Sequence, residues 1–528
     1  MAIPTAAKAL YSAANEKSIT RPREVAPMTG RRIVSRRIVL KGAAALGALA
    51  AVSARSSAQQ AGGSGTAAPP PRTAAGPTAP LPARGSFVIR GATVLTMDPS
   101  LGDFMPGELR VNDGIIVSVG RGVDATGAEV IDGSGMICMP GFIDTHWHLW
   151  TSLFRPFVRS DAPAFGYFPV TSRLGVHLAA EDVYRSVRLG LAEALSAGVT
   201  TVHNWAHNVR SPQHADAELA AMRDTGIRGR FAYGPAQGMP DDAPMDMGDV
   251  ARVQREWMPG PRTPHQLLTL GICSRNLGAM SVGGTGARGV VTIEMLKRDW
   301  DGARALGLPI TMHTSGASPI LALEQAGLLT GSDVQLVHPL LTTPEERAIL
   351  KRRDVRYSTS PNGESRRAAA LGEIQLAELL EAGIKVSLST DHTTNFACDP
   401  FEALRLLFAL HQHRVGARVA LTMRRLLQLA TLDGAVDLGI AGRTGSLTPS
   451  KRADLILVRT GDINLMPAGD PYEALVSRGK PAAIDTVMVD GRILRRGGSF
   501  TALDHAAVVR EAQEAVLAVR AKAGWPPA

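Results

Sequence analysis

Residues 141–150 read GFIDTHWHLW and place two histidines, His146 and His148, at the end of an apolar run. In a β-strand, residues i and i+2 point to the same side, so both imidazoles project from one face about 7 Å apart at their Cα atoms. Two rings at that spacing can converge on one metal ion. The alternative interpretation is a pair of histidines hydrogen-bonded on a sheet surface, and the remainder of the chain decides between the two.

Alternating strand and helix patterns run through the middle of the chain. Eight apolar, β-branched segments separated by helical periodicity predict parallel strands with helical crossovers, at residues 141–148, 200–206, 229–234, 267–274, 309–315, 334–339, 355–361 and 385–391. Eight such units fit the α/β class and a (β/α)8 TIM barrel, in which the chemistry lies at the C-terminal ends of the strands. Polar residues fall in or at the ends of these segments: His146, His148, His203, His313, His338 and Asp391.

Short β-branched segments also occur at both ends of the chain, and turn signals separate them. We predict that residues 86–139 and 445–500 form one small β-sandwich domain built from both chain ends. The barrel, residues 140–444, is inserted between its two halves, and residues 501–528 form a C-terminal helix. Residues 59–85 are rich in Pro, Ala and Gly and predict a flexible linker.

The first 58 residues have the features of an export signal. Ser35 to Gly42 read SRRIVLKG, and the uncharged run AAALGALAAVSA that follows is too short for a permanent membrane span. Arg36 and Arg37 resemble the pair of a twin-arginine signal. We therefore expect residues 1–58 to be a cleaved signal peptide and the mature protein to be periplasmic or secreted, without a stable membrane anchor. A simple membrane anchor is the alternative.

Charge and cysteine content exclude other classes of protein. The chain of 528 residues has a formal net charge of +9, but residues 1–58 hold ten Lys or Arg against two Glu, so the remainder has a net charge of only +1. A nucleic-acid partner therefore has no electrostatic support. Three scattered cysteines, Cys138, Cys273 and Cys398, provide neither a disulfide framework nor a cysteine-based zinc site. The oligomeric state stays open, a homo-oligomer included.

Four motifs in this order resemble those of the amidohydrolase superfamily: PGFIDTHWHL, MHT, LVHP and LSTDH. With the flanking β segments, the pattern is most similar to the chlorohydrolase and cytosine/guanine deaminase branch, and it covers roughly residues 86–500. The resemblance implies that His146, His148 and His313 are metal ligands, together with Asp391. It also implies that His338 contacts the reacting group or its bound water.

The implied ligand set has a definite chemistry. Three imidazoles and one carboxylate suit one divalent metal ion, zinc with iron as the alternative, and the metal lowers the pKa of its bound water from about 15.7 toward about 7. Binuclear members of the family that the chain resembles have a bridging group at the end of strand four, usually a carboxylated lysine, whereas residues 267–276, LLTLGICSRN, contain no Lys or Glu. The resemblance therefore implies one metal. Asp391 is then expected to act as the general base, and His338 to donate a hydrogen bond to the atom that gains charge.

The residue three positions after His313 narrows the reaction. Deaminases of this branch have H-x-x-E, in which the Glu protonates the ring, whereas this chain has Gly316 at that position. We therefore predict a metal-dependent hydrolase that cleaves a non-peptide carbon–nitrogen bond in a small molecule, such as a cyclic amide or carbamate. Two alternatives stay open: a deaminase or chlorohydrolase of a nitrogen heterocycle, with Glu364 or Glu324 as the substitute acid, and a non-catalytic metal-binding barrel.

The substrate pocket is expected to be lined by residues just after the first and second strands. Trp150 follows the first strand, and His203 and His207 lie in or after the second. We expect all three to contact a small-molecule substrate, although each histidine could equally be a hydrogen-bonded structural residue. His392 directly follows Asp391, so its side chain is expected to point away from the barrel axis.

Overall fold

The structure is a computed structural model, and it describes residues 80–237, 243–260, 266–279, 290–314, 318–338, 340–368 and 372–525. The predicted signal peptide, residues 1–58, lies outside the described residues, and so does the predicted linker up to residue 79. Gly316 also lies outside them. No described helix combines the length and the apolar character needed to cross a membrane.

Eight parallel strands form the barrel, each pairing with the next in the order of the chain. They are β6 (Phe142–Trp147), β7 (Val199–Val209), β8 (Arg228–Pro235), β9 (Leu268–Cys273), β12 (Ile310–His313), β13 (Val334–Val337), β14 (Arg356–Thr359) and β15 (Val386–Leu388). The last strand meets the first because the Asp391 amide donates to the His146 carbonyl at 2.8 Å and the His148 amide donates to the Asp391 carbonyl at 2.7 Å. The predicted TIM-like barrel is confirmed.

Helices lie between these strands and after the last of them. They are α1 (Tyr167–Leu174), α2 (Ala180–Ser196), α3 (Pro212–Thr225), α4 (Met247–Trp257), α5 (Ile293–Ala305), α6 (Ile320–Gln325), α7 (Pro344–Arg352), α8 (Pro361–Ser365), α9 (Leu376–Glu381), α10 (Pro400–Val415), α11 (Met423–Leu429), α12 (Leu432–Asp437), α13 (Pro471–Arg478) and α14 (His505–Lys522). Helix α2 shows why the sequence marks its end. Gly198 follows it with φ +78°, a conformation that L side chains rarely adopt.

A separate nine-stranded sheet is built from both ends of the chain. Its strands are β1 (Ser86–Val94), β2 (Phe104–Asn112), β3 (Ile115–Gly120), β4 (Glu129–Asp132), β5 (Met136–Pro140), β16 (Leu455–Arg459), β17 (Ile484–Val489), β18 (Arg492–Arg496) and β19 (Ser499–Phe500). The two halves join where β5 pairs antiparallel with β16. Ile89, Leu109, Leu455 and Met488 are fully buried in its core. A two-stranded ribbon, β10 (Gly278–Ala279) with β11 (Val290–Val291), stands apart from both sheets.

Buried ion pairs join the barrel to this sheet. Arg228, the first residue of β8, donates from Nε to Asp454 at 2.5 Å and also contacts Asp490 at 3.4 Å. Arg452 donates to the same Asp490 oxygen at 2.5 Å, and the Asp490 amide donates to Asp454 at 2.7 Å. None of the four side chains is more than 4% exposed. Opposite charges therefore compensate one another at the N-terminal end of the barrel.

Candidate active site

Five polar side chains meet at the opposite, C-terminal end of the barrel. Parallel strands bring their carboxyl ends to one rim, so His146 and His148 of β6 approach His313 of β12, His338 after β13 and Asp391 after β15. The Nε2 atoms of His146 and His313 lie 3.3 Å apart. Asp391 Oδ1 lies 3.4 Å from the Nε2 atoms of both His146 and His148. The residues that the motifs singled out are thus brought together.

This donor set fits a divalent cation. Burial lowers the pKa of His146 and His313 well below the ordinary histidine value, and it also lowers the pKa of His148. The rings are therefore neutral at pH 7 and offer lone pairs. Two Nε2 lone pairs facing each other at 3.3 Å need a proton or a cation between them. Two groups of three ligand atoms, His146 with His148 and His313, and His146 with His338 and Asp391, each lie within 4.8 Å of one another.

Backbone strain is concentrated at two of these residues. His338 and Asp391 both have φ +71°, a value that costs non-glycine residues of order 1–3 kcal/mol. Gly363 provides the space for the Asp391 carboxylate, since a Cβ at this position would lie 2.7 Å from Asp391 Oδ2. Although burial opposes ionisation, nearby His392 and hydrogen bonds from His146 and His148 hold the pKa of Asp391 well below its usual value.

His338 is oriented by a buried carboxylate. Glu364, in α8, lies 2.9 Å from His338 Nδ1 and is fully buried. The same carboxylate accepts hydrogen bonds from the Ser360 amide at 2.8 Å and from the Thr359 hydroxyl at 2.6 Å. A ring nitrogen that is hydrogen-bonded in this way fixes the orientation of the imidazole. Nε2 of His338 is therefore the ring nitrogen available to the cavity.

A cavity of about 400 Å³ opens over this cluster. Its lining includes His148, His313, His338 and Asp391 at the base. One wall is aromatic: Tyr167 stacks on His392 with ring centroids 4.4 Å apart. The volume suits a small molecule, since ligand pockets are typically about 300–1,000 Å³.

The barrel, the second sheet and the strand-end cluster have a counterpart among known families. The model of the Amidohydrolase family matches residues 137–494, more than half of the chain. The chain belongs to this family. The amidohydrolase is thus a hydrolase of carbon–nitrogen bonds other than peptide bonds. Its histidine cluster fits a divalent metal ion such as zinc.

Curated relatives of this amidohydrolase match over nearly their whole length. The 5′-deoxyadenosine deaminase of Methanosarcina acetivorans is 27% identical over 452 residues, which are 83% of this chain and 99% of the relative. The 5-methylthioadenosine/S-adenosylhomocysteine deaminase of Pelotomaculum thermopropionicum is 29% identical over 455 residues, 82% of this chain and 98% of the relative.

Solved structures share the fold at lower identity. A zinc-bound adenosine deaminase from Xanthomonas campestris superposes with a TM-score of 0.70 at 21% identity, and the match covers 83% of this chain and all of that one. A mutant atrazine chlorohydrolase of Arthrobacter aurescens, complexed with zinc and atraton, superposes with a TM-score of 0.71 at 20% identity, covering 81% of this chain and all of that one. At this identity the likeness concerns the fold alone.

Two of the three residues expected to contact the substrate, His203 and Trp150, are not among the lining residues of the cavity. His203 lies deeper inside the barrel, where its Nδ1 contacts the Thr145 carbonyl at 3.0 Å, because β7 continues to Val209 instead of ending near residue 206. Trp150 is fully buried behind the cavity lining, and its Nε1 donates to His207 Nδ1 at 3.2 Å. Only His207 of the three lines the cavity, with its ring 4.3 Å from that of His148.

Three further expectations are corrected by side-chain positions. His392 lines the cavity instead of pointing away from it, since the chain leaves β15 at Leu388 and no longer alternates as a strand. Glu324 lies far from the cavity cluster and pairs with Arg352 and Arg353 at 2.9 Å. Glu364 does not line the cavity and lies behind His338, so it is no direct substitute acid.

Sequence reasoning also missed a large aromatic residue at the base of the site. Trp205 of β7 stacks on His313 with ring centroids 4.1 Å apart and meets the edge of His146 at 4.5 Å. Strand alternation could have found it, because residues 203, 205 and 207 share one face. Trp205 supports two of the proposed ligand rings and restricts their rotation.

Proposed function

We propose that this amidohydrolase hydrolyses a cyclic amide, lactam, carbamate or similar small molecule, and that it does not deaminate an aromatic ring. The proposal depends on the small number of carboxyl groups in the described lining of the cavity. Among the described lining residues only Asp391 has one, and the residue three after His313 is Gly316. Addition of water to a heteroaromatic ring needs a proton on a ring nitrogen, and a positioned acid supplies about 10²–10⁴-fold in rate.

The proposed roles follow from the strand-end geometry. His146, His148, His313 and Asp391 would hold one divalent metal ion. When bound, the ion lowers the pKa of a water molecule and polarises the substrate carbonyl. Asp391 accepts the proton of the attacking water and passes it to the departing amine, so no second acid is required.

His338 and Glu364 would act on the carbonyl oxygen. Because Nδ1 of His338 is held by Glu364 at 2.9 Å, its Nε2 faces the substrate. His338 Nε2 would donate a hydrogen bond to the oxygen that gains negative charge, while Glu364 holds Nδ1 of the same ring. Donors aimed at developing charge in a water-poor site are among the largest contributions to catalysis.

The relatives favour a second candidate, deamination of a 5′-modified adenosine. Two curated deaminases of such nucleosides are 27% and 29% identical to this chain and match more than 80% of it. In this case the proton for the ring would have to come from the His338 and Glu364 pair. A nucleoside such as 5′-deoxyadenosine is therefore the competing substrate to test.

A paired assay on the purified, zinc-loaded protein separates the candidates. Ring opening of lactams and cyclic carbamates is followed by mass spectrometry, and ammonia release from 5′-deoxyadenosine and 5-methylthioadenosine is followed by a coupled enzyme assay. We expect ring opening and negligible ammonia. Efficient ammonia release from either nucleoside would overturn the proposal, and Glu364→Gln would then be the first variant to examine as the source of the proton.

We also propose export by the twin-arginine route to the periplasm or the medium, since Arg36 and Arg37 precede a short uncharged run. The export of an already folded protein suits a metal enzyme that is loaded in the cytoplasm. Replacing both arginines by lysine should retain the full-length precursor in the cytoplasm, as measured by fractionation and immunoblotting. Normal export of that double variant would refute the route.

A further inference from the structure

Two consecutive arginines lie at the cavity in the turn after α8. Both Arg366 and Arg367 are among the lining residues, on the side where the aromatic wall of Tyr167, His392 and Phe396 stands. Neither belongs to the sequence motifs that define the metal cluster. Both guanidinium groups therefore lie where they can contact a negatively charged group of a bound molecule.

Arg367 reaches the edge of the metal cluster. Its Nη2 donates to Asp391 Oδ2 at 3.5 Å and its Nε donates to the Gly363 carbonyl at 3.3 Å. Both hydrogen bonds are long, whereas charge-assisted ones are usually about 2.7–2.9 Å. A guanidinium has five N–H donors, so Arg367 keeps donors for a further acceptor.

Arg366 has no ion-pair partner among the described residues. Its guanidinium carbon lies 5.5 Å from the centroid of the Phe396 ring, and its side chain is exposed at the cavity. The Phe396 ring contacts the guanidinium, whose N–H donors have no carboxylate partner among the described residues. Arginine in this setting is suited to bidentate recognition of a planar oxyanion.

The other two arginines of the lining already have carboxylate partners. Arg159 contacts Asp161 at 3.2 Å, and Arg275 contacts Asp299 at 2.7 Å. Arg367 shares the charge of Asp391, which is the sole carboxylate among the described lining residues. Arg366 is therefore the lining arginine that has no carboxylate partner among the described residues, and one guanidinium is suited to pair with one carboxylate.

Aromatic rings lie beside Arg366 in the cavity lining. His392 lies between Tyr167 and Phe396, with ring centroids 4.4 Å and 4.7 Å away. These rings form a continuous strip from the side of Asp391 to Arg366. A flat or cyclic substrate body in contact with the edges of these rings would place a substituent at the guanidinium.

We propose that the substrate of this site carries a carboxylate, which Arg366 recognises with support from Arg367, at the end of a flat or cyclic body. This inference rests on the proposed function for the position of the reacting bond. Its recognition step is a binding property of the cavity. It can therefore be measured without turnover.

Benzoate and benzamide provide a matched pair of probes, because both have the flat body and only benzoate has the anion. Their binding to the zinc-loaded full chain is measured by isothermal titration calorimetry. Charged hydrogen bonds contribute about 1.5–3 kcal/mol, so we expect benzoate to bind at least about tenfold tighter than benzamide. In Arg366→Gln this preference should fall to less than about threefold.

Two controls test whether a preference for benzoate over benzamide comes from Arg366. Arg159→Gln removes the same charge from a lining residue that already has a partner, and it should keep the preference. Circular dichroism and the zinc content confirm that each variant is folded and loaded. Phenyl phosphate tests the dianion, and we expect it to bind more weakly than benzoate.

Several outcomes would overturn the inference. The first is equal or undetectable binding of benzoate and benzamide. The second is an unchanged preference for benzoate in Arg366→Gln, which would mean that the anion binds the metal. The third is an equal loss of this preference in Arg159→Gln, which would mean that the overall positive charge of the cavity attracts the anion. Tighter binding of phenyl phosphate would replace the carboxylate by a phosphate. Failure of the proposed function appears separately, as ammonia release in the nucleoside assay.

Discussion

The two ends of the barrel both bury ionisable side chains, but they pair them differently. At the N-terminal end, Arg228 and Arg452 are matched by Asp454 and Asp490, with contacts of 2.5 Å. At the C-terminal end, neutral imidazoles face one another across 3.3 Å with a single carboxylate beside them. Each carboxylate of the first cluster has an arginine partner, whereas the facing ring nitrogens of the second suit a bound cation.

This difference separates stability from function. A buried ion pair is strongly destabilising only when one partner is removed, because the remaining charge has no compensation. Lone pairs that face one another and residues with left-handed backbone angles destabilise the fold, and a bound ligand can offset this cost. Such local strain is concentrated at functional sites. Substitutions at the N-terminal end should therefore reduce stability first, and substitutions at the C-terminal end should reduce metal binding and activity first.

The largest effect is expected at the cation-binding end. His313→Ala removes one of three converging imidazoles, so bound metal and hydrolytic activity should both be lost. Metal is measured by mass spectrometry of the purified protein and activity by ring opening of the lactam. His413→Ala, at an exposed position of α10, is the matched control and should keep both. A full equivalent of metal in His313→Ala would show that the ligand set is wrong.

The next effect is expected at the charge-paired end. Asp454→Asn leaves Asp490, at 3.4 Å, as the carboxylate partner of Arg228, and breaking a buried pair costs about 3–5 kcal/mol. Chemical denaturation should show this loss, while the folded fraction keeps its metal. Asp354→Asn is the control, since Asp354 makes an exposed pair with Lys385 at 2.7 Å. Loss of metal in the folded Asp454→Asn variant would contradict the conclusion that the two ends of the barrel serve stability and function separately.

A smaller effect should follow from Glu364→Gln. His338 loses its carboxylate partner, and loss of such an outer partner typically costs about 10–100-fold in activity. We expect kcat to fall by this factor while KM and metal content stay unchanged, because Glu364 touches neither the substrate nor the ligand atoms. Glu324→Gln, which alters a pair outside the cavity, should leave kcat unchanged. A change in KM alone would contradict the assigned role.

The smallest effect concerns His203, which lies below the metal cluster. Burial lowers its pKa to about 3, so between pH 6.5 and 3 only the unfolded chain binds this proton, and stability falls as the pH falls. From pH 7 to pH 5 this contribution is about 2 kcal/mol. His203→Gln should therefore lose about 2 kcal/mol less on acidification, in denaturation curves at the two pH values. Equal losses would show that His203 is protonated in the folded state.

The alternation of strands and helices was readable because parallel strands are buried on both faces and interrupted by helical periodicity. All eight predicted segments overlap the observed barrel strands, and the residues at their ends, His146, His148, His313, His338 and Asp391, meet at one rim. Boundaries were less readable. Strand β7 extends to Val209, and His203 lies well before its end, in contact with the Thr145 carbonyl below the site.

The sequence by itself determined which residues are proposed to carry the chemistry, since the motif histidines, Asp391 and Gly316 can be named from local patterns and from a family resemblance. Only the tertiary structure decided which neighbours these residues have. Glu364 lies behind His338, Trp150 lies behind His207, and Arg366 lies over Phe396. Strand ends obey a period of two and a common direction, whereas side chains in loops and short helices take directions set by packing between segments that are distant in the chain.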